Sequence, residues 1–400
     1  MRLLGLTNFY PPLGYGYGAI CHDVMQELDA RGHRCVVLCA AGESDSIPIT
    51  TGLRHVPAAW RKPVAGLAGE LASQKLVRAA IDDGAEAALV WHMRGIGKGS
   101  LTLLHRARIP VIYMLGDLWV IYEHPGPPSL WRMWTALDHV RPWRAARQTL
   151  GLAGKPIGLE LRAPPIETDG IVCFASEWLR RRHADIGFRP QCAHVIPNGI
   201  PSAGLAALRT GETRTEPLSV LFAGRLDPPK GADIAVAALA EVDGLHLMIA
   251  GGGRRSSVLA IERQVVRLGL AERVRLVGEL PRDSVAELMR QCDVFVMPAR
   301  EPDAFGLVYL EAMANGAVVI GTAKGGAAEL CEDGVNCLVI DESDPTSLPA
   351  ALCRLRDDVA LRERLRAAGE ATAGRYGLGT MVDSVERLLS RIAEQRDAGT

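Results

Sequence analysis

Short apolar runs alternate with segments of helical periodicity along the whole chain. An apolar run of about four to eight residues, bounded by polar or turn residues, is typical of a strand buried in a parallel sheet. Such runs occur in both halves of the sequence, at 3–6, 35–39, 87–91, 110–115 and 169–175, and again at 219–223, 246–250, 275–278, 294–297 and 318–321. Because strands that alternate with helices form parallel sheets with right-handed crossovers, the pattern predicts an α/β chain of two tandem doubly wound, Rossmann-like domains.

A polar stretch over 201–217, rich in Gly, Thr, Ser and Glu, separates the two halves. Linkers between domains commonly have this composition. The predicted organisation is therefore an N-terminal domain over 1–205, a C-terminal domain over 206–380 and a terminal helical segment over 381–400.

The segment 123–165 departs from the alternating pattern. Tryptophans and arginines are interleaved there: Trp131, Arg132, Trp134, Arg141, Trp143, Arg144 and Arg147. Two interpretations stay open. The segment is either a helical insertion whose aromatic face packs on the domain, or an interfacial helix pair that contacts anionic lipid or an acidic acceptor.

Charge and cysteine content narrow the class of protein. A formal net charge of −1 gives no reason to expect nucleic acid as a partner. Nine cysteines without CxxC pairs predict reduced thiols in an intracellular protein. No apolar run approaches the roughly 18 residues of a membrane helix, so we expect a cytoplasmic protein, with 123–165 as the segment for any peripheral membrane contact. The sequence has no metal-binding spacing, and we expect neither a metal nor a cofactor.

Two carboxylates follow the apolar run at 294–297. Asp303 lies at the start of a helix predicted from about Phe305 to Gly316, next to backbone N–H groups and the positive end of the helix dipole. Glu311 lies eight positions later, roughly two helical turns, so both carboxylates can share one face. A sugar diphosphate requires N–H donors for its anionic part and acceptors for its hydroxyl groups, and this stretch offers both.

A second cluster follows the run at 219–223. Gly224 and Arg225 open a proline-rich loop that ends in Lys230, just before a helix predicted from Ala232. Two cations beside helix N–H groups suit a diphosphate leaving group, whose negative charge grows as its bond to the sugar breaks. Gly252, in the glycine run after the next strand, is predicted to form a tight turn that lines the nucleotide.

The first half places further candidates after its predicted strands. Gly14 and Gly16 belong to a glycine-rich loop after the first strand, while His92 and Asp117 each follow a later one. The carboxyl ends of parallel strands are where doubly wound domains bind ligands. A histidine in this place is otherwise a capping or core residue, so both interpretations of His92 stand.

The stretch from Asp303 to Glu311 resembles the acidic-x7-Glu signature of glycosyltransferase family 4, the retaining glycosyl transferases group 1 with the GT-B fold. The spacing of Arg225 and Lys230 and the loop around Gly14 are also similar to that family. The resemblance implies that the helix over 381–400 crosses back to the N-terminal domain, which binds the acceptor, while the C-terminal domain binds the nucleotide-sugar. The resemblance implies that Arg225 and Lys230 hold the diphosphate and that Glu311 holds the ribose. It further implies that Asp303 and the backbone amides of Phe305, Gly306 and Leu307 contact the donor sugar. His92 and Asp117 are implied to line the pocket for the sugar and the acceptor.

Two positions depart from the family pattern. Asp303 stands where Glu is more common, with Glu301 a nearby candidate for that role, and Gly116 stands where a His usually precedes Asp117. Apart from these positions, the resemblance implies a metal-independent, retaining hexosyltransferase. Such an enzyme moves a sugar from a nucleoside diphosphate, with UDP favoured, to an acceptor hydroxyl by front-face substitution. The expected acceptor is a small molecule, a glycan or a glycolipid. The alternatives are an inactive nucleotide-sugar-binding or scaffolding relative and a sugar-nucleotide epimerase on the same fold.

Overall fold

The computed structural model describes residues 1–11, 16–41, 47–51, 53, 63–93, 99–122, 166–201 and 217–398. The segment 123–165, most of the predicted linker and Gly14 lie outside these residues. The chain divides into two units, Met1–Pro197 together with Met381–Thr400, and Asn198–Thr380.

The first unit is built on a parallel sheet. Its elements are β1 Arg2–Phe9, α1 Tyr17–Ala30, β2 Arg34–Ala41, β3 Ile49–Thr51, α2 Pro63–Asp82, β4 Ala87–Val90, α3 Gly99–Arg106, β5 Val111–Leu115, α4 Trp119–Tyr122, α5 Ile166–Asp169, β6 Ile171–Phe174, α6 Glu177–Asp185 and β7 Cys192–Val195. Over the described residues the strand order is β3-β2-β1-β4-β5-β6-β7, and each neighbouring pair is parallel.

The second unit repeats this plan. Its elements are β8 Leu218–Ala223, a 3-10 turn Pro228–Lys230, α7 Ala232–Ala240, β9 Leu245–Ala250, α8 Arg255–Arg267, β10 Val274–Gly278, α9 Arg282–Gln291, β11 Val294–Met297, α10 Leu307–Ala314, β12 Val318–Gly321, a 3-10 turn Gly326–Glu329, β13 Cys337–Val339, α11 Ser347–Asp357 and α12 Val359–Gly374. The last helix, α13 Leu378–Ala398, begins in this unit and continues into the first one. The strand order is β10-β9-β8-β11-β12-β13, again parallel throughout.

These two sheets confirm the predicted fold class of two doubly wound α/β domains. Strands β4, β5, β11 and β12 are buried at every position, which explains why their sequences are continuous apolar runs. Ser176 caps α6, since its hydroxyl accepts a hydrogen bond of 3.0 Å from Leu179 N.

Strand order reverses once in each sheet, and this reversal positions the candidate sites. The reversal lies between β1 and β4 in the first sheet and between β8 and β11 in the second. Connections from the two strands at such a point leave toward opposite faces, which opens a crevice at the strands' carboxyl ends where ligands bind. Within the described residues, no helix combines the length and the apolarity needed to cross a membrane.

Candidate functional site

In the second unit, the loops that follow β8 and β11 are bound to each other at the crevice. Gly231 has φ +77°, and a Cβ built on it would lie 2.0 Å from the carbonyl oxygen of Pro298. Arg300 N donates to Pro229 O at 2.8 Å across the same pair of loops. A side chain at position 231 would separate the loops, so glycine is required there.

Lys230 and Asp303 meet where these loops come together. Lys230 Nζ donates to Asp303 Oδ2 at 2.8 Å. The other carboxylate oxygen, Oδ1, accepts from the backbone N–H groups of Gly306 at 3.0 Å and Phe305 at 3.4 Å. The structure therefore brings together the predicted phosphate-binding lysine and the predicted sugar-binding carboxylate, which lie 73 positions apart in the chain.

The environment of Asp303 keeps it ionised. Burial is the largest single influence on its pKa and raises it. The charge of Lys230, the hydrogen bond from Lys230 and the two backbone N–H groups together outweigh burial, and they leave the pKa of Asp303 below its ordinary value of 3.8.

Helix α10 begins at Leu307, two positions after the predicted start at Phe305, because Gly306 adopts φ +90° and acts as the N-cap. A Cβ on Gly306 would lie 2.8 Å from Ala327 Cβ, so the close approach of the next loop also requires glycine. The Phe305 ring is buried and packs edge-on against Tyr376, with ring centroids 5.9 Å apart. The Phe305 and Gly306 amides that were expected to contact the donor sugar donate to Asp303 here.

Glu311 lies in the second turn of α10 and is paired with an arginine that was not predicted from the sequence. Arg282, the first residue of α9, points two nitrogens at the same carboxylate oxygen. Its Nε and Nη2 each lie 3.1 Å from Glu311 Oε1. The two side chains are 33% and 25% exposed. An isolated arginine at a helix start carries no pattern that would have revealed this contact.

Arg225 is the most exposed of the predicted phosphate ligands. Its side chain is 67% exposed and lies 3.5 Å from Asp227 Oδ2. Asp227 Oδ1 also accepts from Arg254 Nε at 3.1 Å and Ser257 Oγ at 2.9 Å. The hydrogen bond from Arg254, followed by that from Ser257, lowers the pKa of Asp227. Asp227 thus contacts two cations at this edge of the sheet, Arg225 and Arg254, of which only Arg225 was predicted.

The predicted glycines after β8 and β9 pack directly against other backbone. Leu226 N donates to Gly252 O at 2.7 Å, and a Cβ on Gly251 would lie 1.8 Å from Gly224 O. A Cβ on Gly252 would come within 2.3 Å of Glu279 Oε1. The tight turn predicted around Gly252 therefore lies beside the loop that carries Arg225.

In the first unit, His92 and Asp117 form part of a hydrogen-bonded row across three neighbouring strands. His92 Nε2 lies 3.1 Å from Asp117 Oδ2, and Asn8 Nδ2 lies 3.1 Å from His92 Nδ1. Asp117 Oδ1 accepts from Trp119 N at 3.0 Å. Asn8, at the end of β1, is 2% exposed and was not predicted. His92 is thus a partly buried member of a polar network at the reversal point of this sheet.

Two further predictions need comment. Gly16, with φ +77°, is the N-cap of α1 at the same edge as Asn8, while Gly14 lies outside the described residues. Among the described side chains, no group of three His, Cys, Asp or Glu residues is arranged to hold a metal ion.

Comparisons with known proteins identify similar sequences and similar structures. Residues 217–358 match the protein-family model described as Glycosyl transferases group 1. The D-inositol 3-phosphate glycosyltransferase of Thermomonospora curvata is 34% identical over 209 residues, which is 49% of this chain and 47% of that relative. The chain spans about half the length of the curated relatives it matches.

Solved structures match over the whole chain. Anabaena HepE, in complex with UDP and glucose, has a TM-score of 0.70 at 21% identity and covers 98% of this chain and 100% of its own. Sucrose-phosphate synthase from Thermosynechococcus elongatus has a TM-score of 0.74 at 18% identity and covers 99% and 100%. Identities this low establish the fold alone. The chain has the two-domain GT-B fold of glycosyltransferases, and its second half carries the match to the glycosyl transferases group 1 family.

Proposed function

We propose that this protein is a nucleotide-sugar-dependent glycosyltransferase that moves a sugar to an acceptor hydroxyl. The observation that carries the proposal is the meeting of Lys230 and Asp303 at the crevice between β8 and β11. This crevice lies inside the region that matches the family model. A cation for a phosphate thus lies beside a carboxylate for hydroxyl groups, at the place where doubly wound sheets bind ligands.

In this proposal each predicted residue has a separate task. Lys230 and Arg225 neutralise the diphosphate as it leaves, Glu311 accepts hydrogen bonds from the ribose hydroxyls, and Asp303 accepts them from the donor sugar. In the first unit, His92 and Asp117 contact the sugar and the acceptor. The two cations can stabilise the leaving group without a divalent ion, so we propose metal-independent transfer.

Retention of configuration is the second part of the proposal. The bond between the anomeric carbon and the diphosphate oxygen breaks, and the acceptor oxygen bonds to the same face of the sugar. The acceptor proton moves to the departing phosphate oxygen, so no protein carboxylate forms a covalent intermediate. Asp303 then positions the donor, which agrees with its hydrogen bonds to Lys230 and to two backbone N–H groups.

A UDP-sugar is the favoured donor, because HepE, which shares the fold, binds UDP and glucose. The acceptor class, a small molecule, a glycan or a glycolipid, is chosen by the first unit in this proposal. A cytoplasmic location and membrane contact through 123–165 stay predictions.

A thermal-shift screen followed by turnover assays tests the proposal. UDP-, GDP-, ADP- and dTDP-sugars are added at about a hundredfold over a micromolar Kd, where binding to the native state contributes about 2.7 kcal/mol of stability. We expect one nucleotide class to raise the Tm and release of nucleoside diphosphate to persist in EDTA. NMR of the product should show the anomeric configuration of the donor.

Each contrary outcome of this screen has its own meaning. If none of the four nucleotide classes raises the Tm, the proposal fails. Binding without release of nucleoside diphosphate under any acceptor mixture favours a binding or scaffolding relative. Conversion of the donor sugar without an acceptor indicates an epimerase.

A further inference from the structure

The contact between Arg282 and Glu311 has the geometry of a directed interaction. Two guanidinium nitrogens, Nε and Nη2, converge on a single oxygen, Glu311 Oε1, each at 3.1 Å. Charge-assisted hydrogen bonds from a planar guanidinium fix the orientation of the carboxylate that accepts them. With about a quarter of the carboxylate side chain exposed, water screens this pair less than it screens a pair on the open surface.

Arg282 stands at a position in its helix where the dipole disfavours a cation, although Asp283 in the same turn has the favoured charge. Arg282 is the first residue of α9, whose N-cap is Pro281 with no side-chain cap. A cation in the first turn opposes the helix dipole, where an acidic residue is favoured. Residues that break a local preference of this kind are commonly retained for a contact made elsewhere, and here that contact is Glu311.

Attachment of α9 to α10 does not by itself account for Arg282. Near the other end of α9, Arg290 Nη1 donates to Asn315 Oδ1 at 2.9 Å, directly after α10. The two helices are therefore joined by an arginine at each end of the contact. Of these two arginines, Arg282 is the one that contacts Glu311, the residue to which the proposed function assigns the ribose.

We infer that Arg282 is a positioning residue that orients the Glu311 carboxylate toward the ribose and thereby sets a preference for ribonucleotides over deoxyribonucleotides. This inference rests on the proposed function, in which Glu311 accepts hydrogen bonds from the ribose hydroxyls. Arg282 holds Oε1 from two nitrogens and so restricts where the carboxylate can lie. A carboxylate restricted in this way accepts from hydroxyl groups at defined positions, and a nucleotide lacking one hydroxyl leaves an acceptor unsatisfied.

Titration calorimetry with nucleotides tests the inference without knowledge of the acceptor. The probes are UDP, GDP, ADP and dTDP, the three ribonucleotides together with their 2′-deoxy and 3′-deoxy counterparts, and the measured quantity is the ratio of deoxy to ribo Kd for the base that binds. In the wild-type protein we expect the deoxy forms to bind at least about tenfold more weakly. In Arg282→Gln the deoxy forms should bind no more than about threefold more weakly than the ribo forms. Arg282→Lys should give an intermediate ratio, because a single ammonium group replaces the two guanidinium nitrogens.

The matched control is Arg290→Gln, which removes the other arginine between the same two helices. It should lower the Tm by an amount comparable to Arg282→Gln and keep the wild-type ratio, because a merely structural role does not change selectivity for a hydroxyl group. If Arg290→Gln and Arg282→Gln reduce the ratio equally, the inference is overturned.

Glu311→Gln separates failure of the inference from failure of the proposed function. If Glu311→Gln loses selectivity while Arg282→Gln keeps it, Glu311 contacts the ribose and the role of Arg282 is refuted. If both variants keep the wild-type ratio, the ribose role of Glu311 is refuted as well. If no nucleotide binds to the wild-type protein, the proposed function and the inference fall together.

Discussion

Replacing Lys230 by Met removes the cation that faces the Asp303 carboxylate. The ammonium nitrogen lies 2.8 Å from Oδ2, and the two side chains are 26% and 27% exposed. Breaking an exposed ion pair costs about 0.2–1 kcal/mol, and breaking a fully buried one costs about 3–5 kcal/mol. Here two backbone N–H groups still donate to Asp303 in the variant. We expect Lys230→Met to lower the free energy of unfolding by about 1–2 kcal/mol, or the Tm by about 2–8 °C.

The stability loss should depend on pH in a defined direction. Burial raises the pKa of Asp303, and Lys230 with the backbone N–H groups more than reverses this, so the folded-state pKa lies below the ordinary 3.8. A depressed carboxyl pKa contributes stability that is present above the unfolded-state value of about 3.9 and is lost as the pH falls through the folded-state pKa. In Lys230→Met the folded-state pKa rises, so the Tm difference should be complete at pH 7 and should narrow below about pH 4.

A second substitution separates stability from catalysis. Asp303→Asn in the Lys230→Met background removes the uncompensated charge, and we expect it to restore at least about half of the lost Tm, because the cost of breaking a pair lies mainly in the remaining charge. Turnover should stay about a hundredfold to a thousandfold below wild type, since Lys230 no longer stabilises the leaving diphosphate. The assays are thermal unfolding by circular dichroism and release of nucleoside diphosphate.

Two results would refute this reasoning. If the double variant is no more stable than Lys230→Met, the ion pair does not carry the stability of the loop contact. Losing a group that stabilises charge in the transition state is expected to cost about a hundredfold in turnover. If Lys230→Met turns over within about threefold of wild type, Lys230 does not have that role.

Two further predictions concern contacts around the sites. The double variant Asn8→Ala, His92→Ala should lose about 0.5–1.5 kcal/mol less unfolding free energy than the sum of the two single variants, because Asn8 Nδ2 and His92 Nδ1 are 3.1 Å apart. Additive Tm losses would contradict the hydrogen bond between these two residues. Gly231→Ala should cost more than about 2 kcal/mol, because left-handed strain adds to a Cβ placed 2.0 Å from Pro298 O. The control is Gly269→Ala, since Gly269 has φ +69° and a Cβ built on it meets no atom within 4 Å. It should lose only about 1 kcal/mol of unfolding free energy, and equal Tm losses in the two variants would argue against the loop contact.

The central strands could be predicted from the sequence because both of their faces are buried. β11 and β12 have the predicted bounds, 294–297 and 318–321, since every position is buried and apolar. Three strands were missed: β3, β7 and β13. Each is only three or four residues long and lies at a sheet edge, where solvent reaches one side. β3 and β7 carry no continuous apolar run, and β13, although apolar throughout, is shorter than the four to eight residues that indicate a buried strand.

The site residues were easier to predict than their partners. Residues that follow buried strands must lie at the carboxyl edge of a parallel sheet, so the placement of Lys230, Asp303 and His92 follows from local pattern. The partners of such residues come from distant parts of the chain. Arg282 lies 29 positions from Glu311, and Asn8 lies 84 positions from His92. No local periodicity encodes such pairs, because they depend on how separate helices and strands pack.

Under the proposed function, the pairing of Lys230 with Asp303 prepares the site for the donor. An ammonium group has three N–H bonds that can donate, and Asp303 Oδ2 accepts from one of them. The other two can donate to phosphate oxygens while the carboxylate keeps Lys230 in place. The nucleotide-sugar therefore does not have to order a mobile side chain as it binds. Fixing a charge before the reaction is also what makes it effective in the transition state, because no reorganisation is needed as the leaving group becomes negative. The ion pair therefore serves the proposed reaction best if it stays intact when the diphosphate arrives.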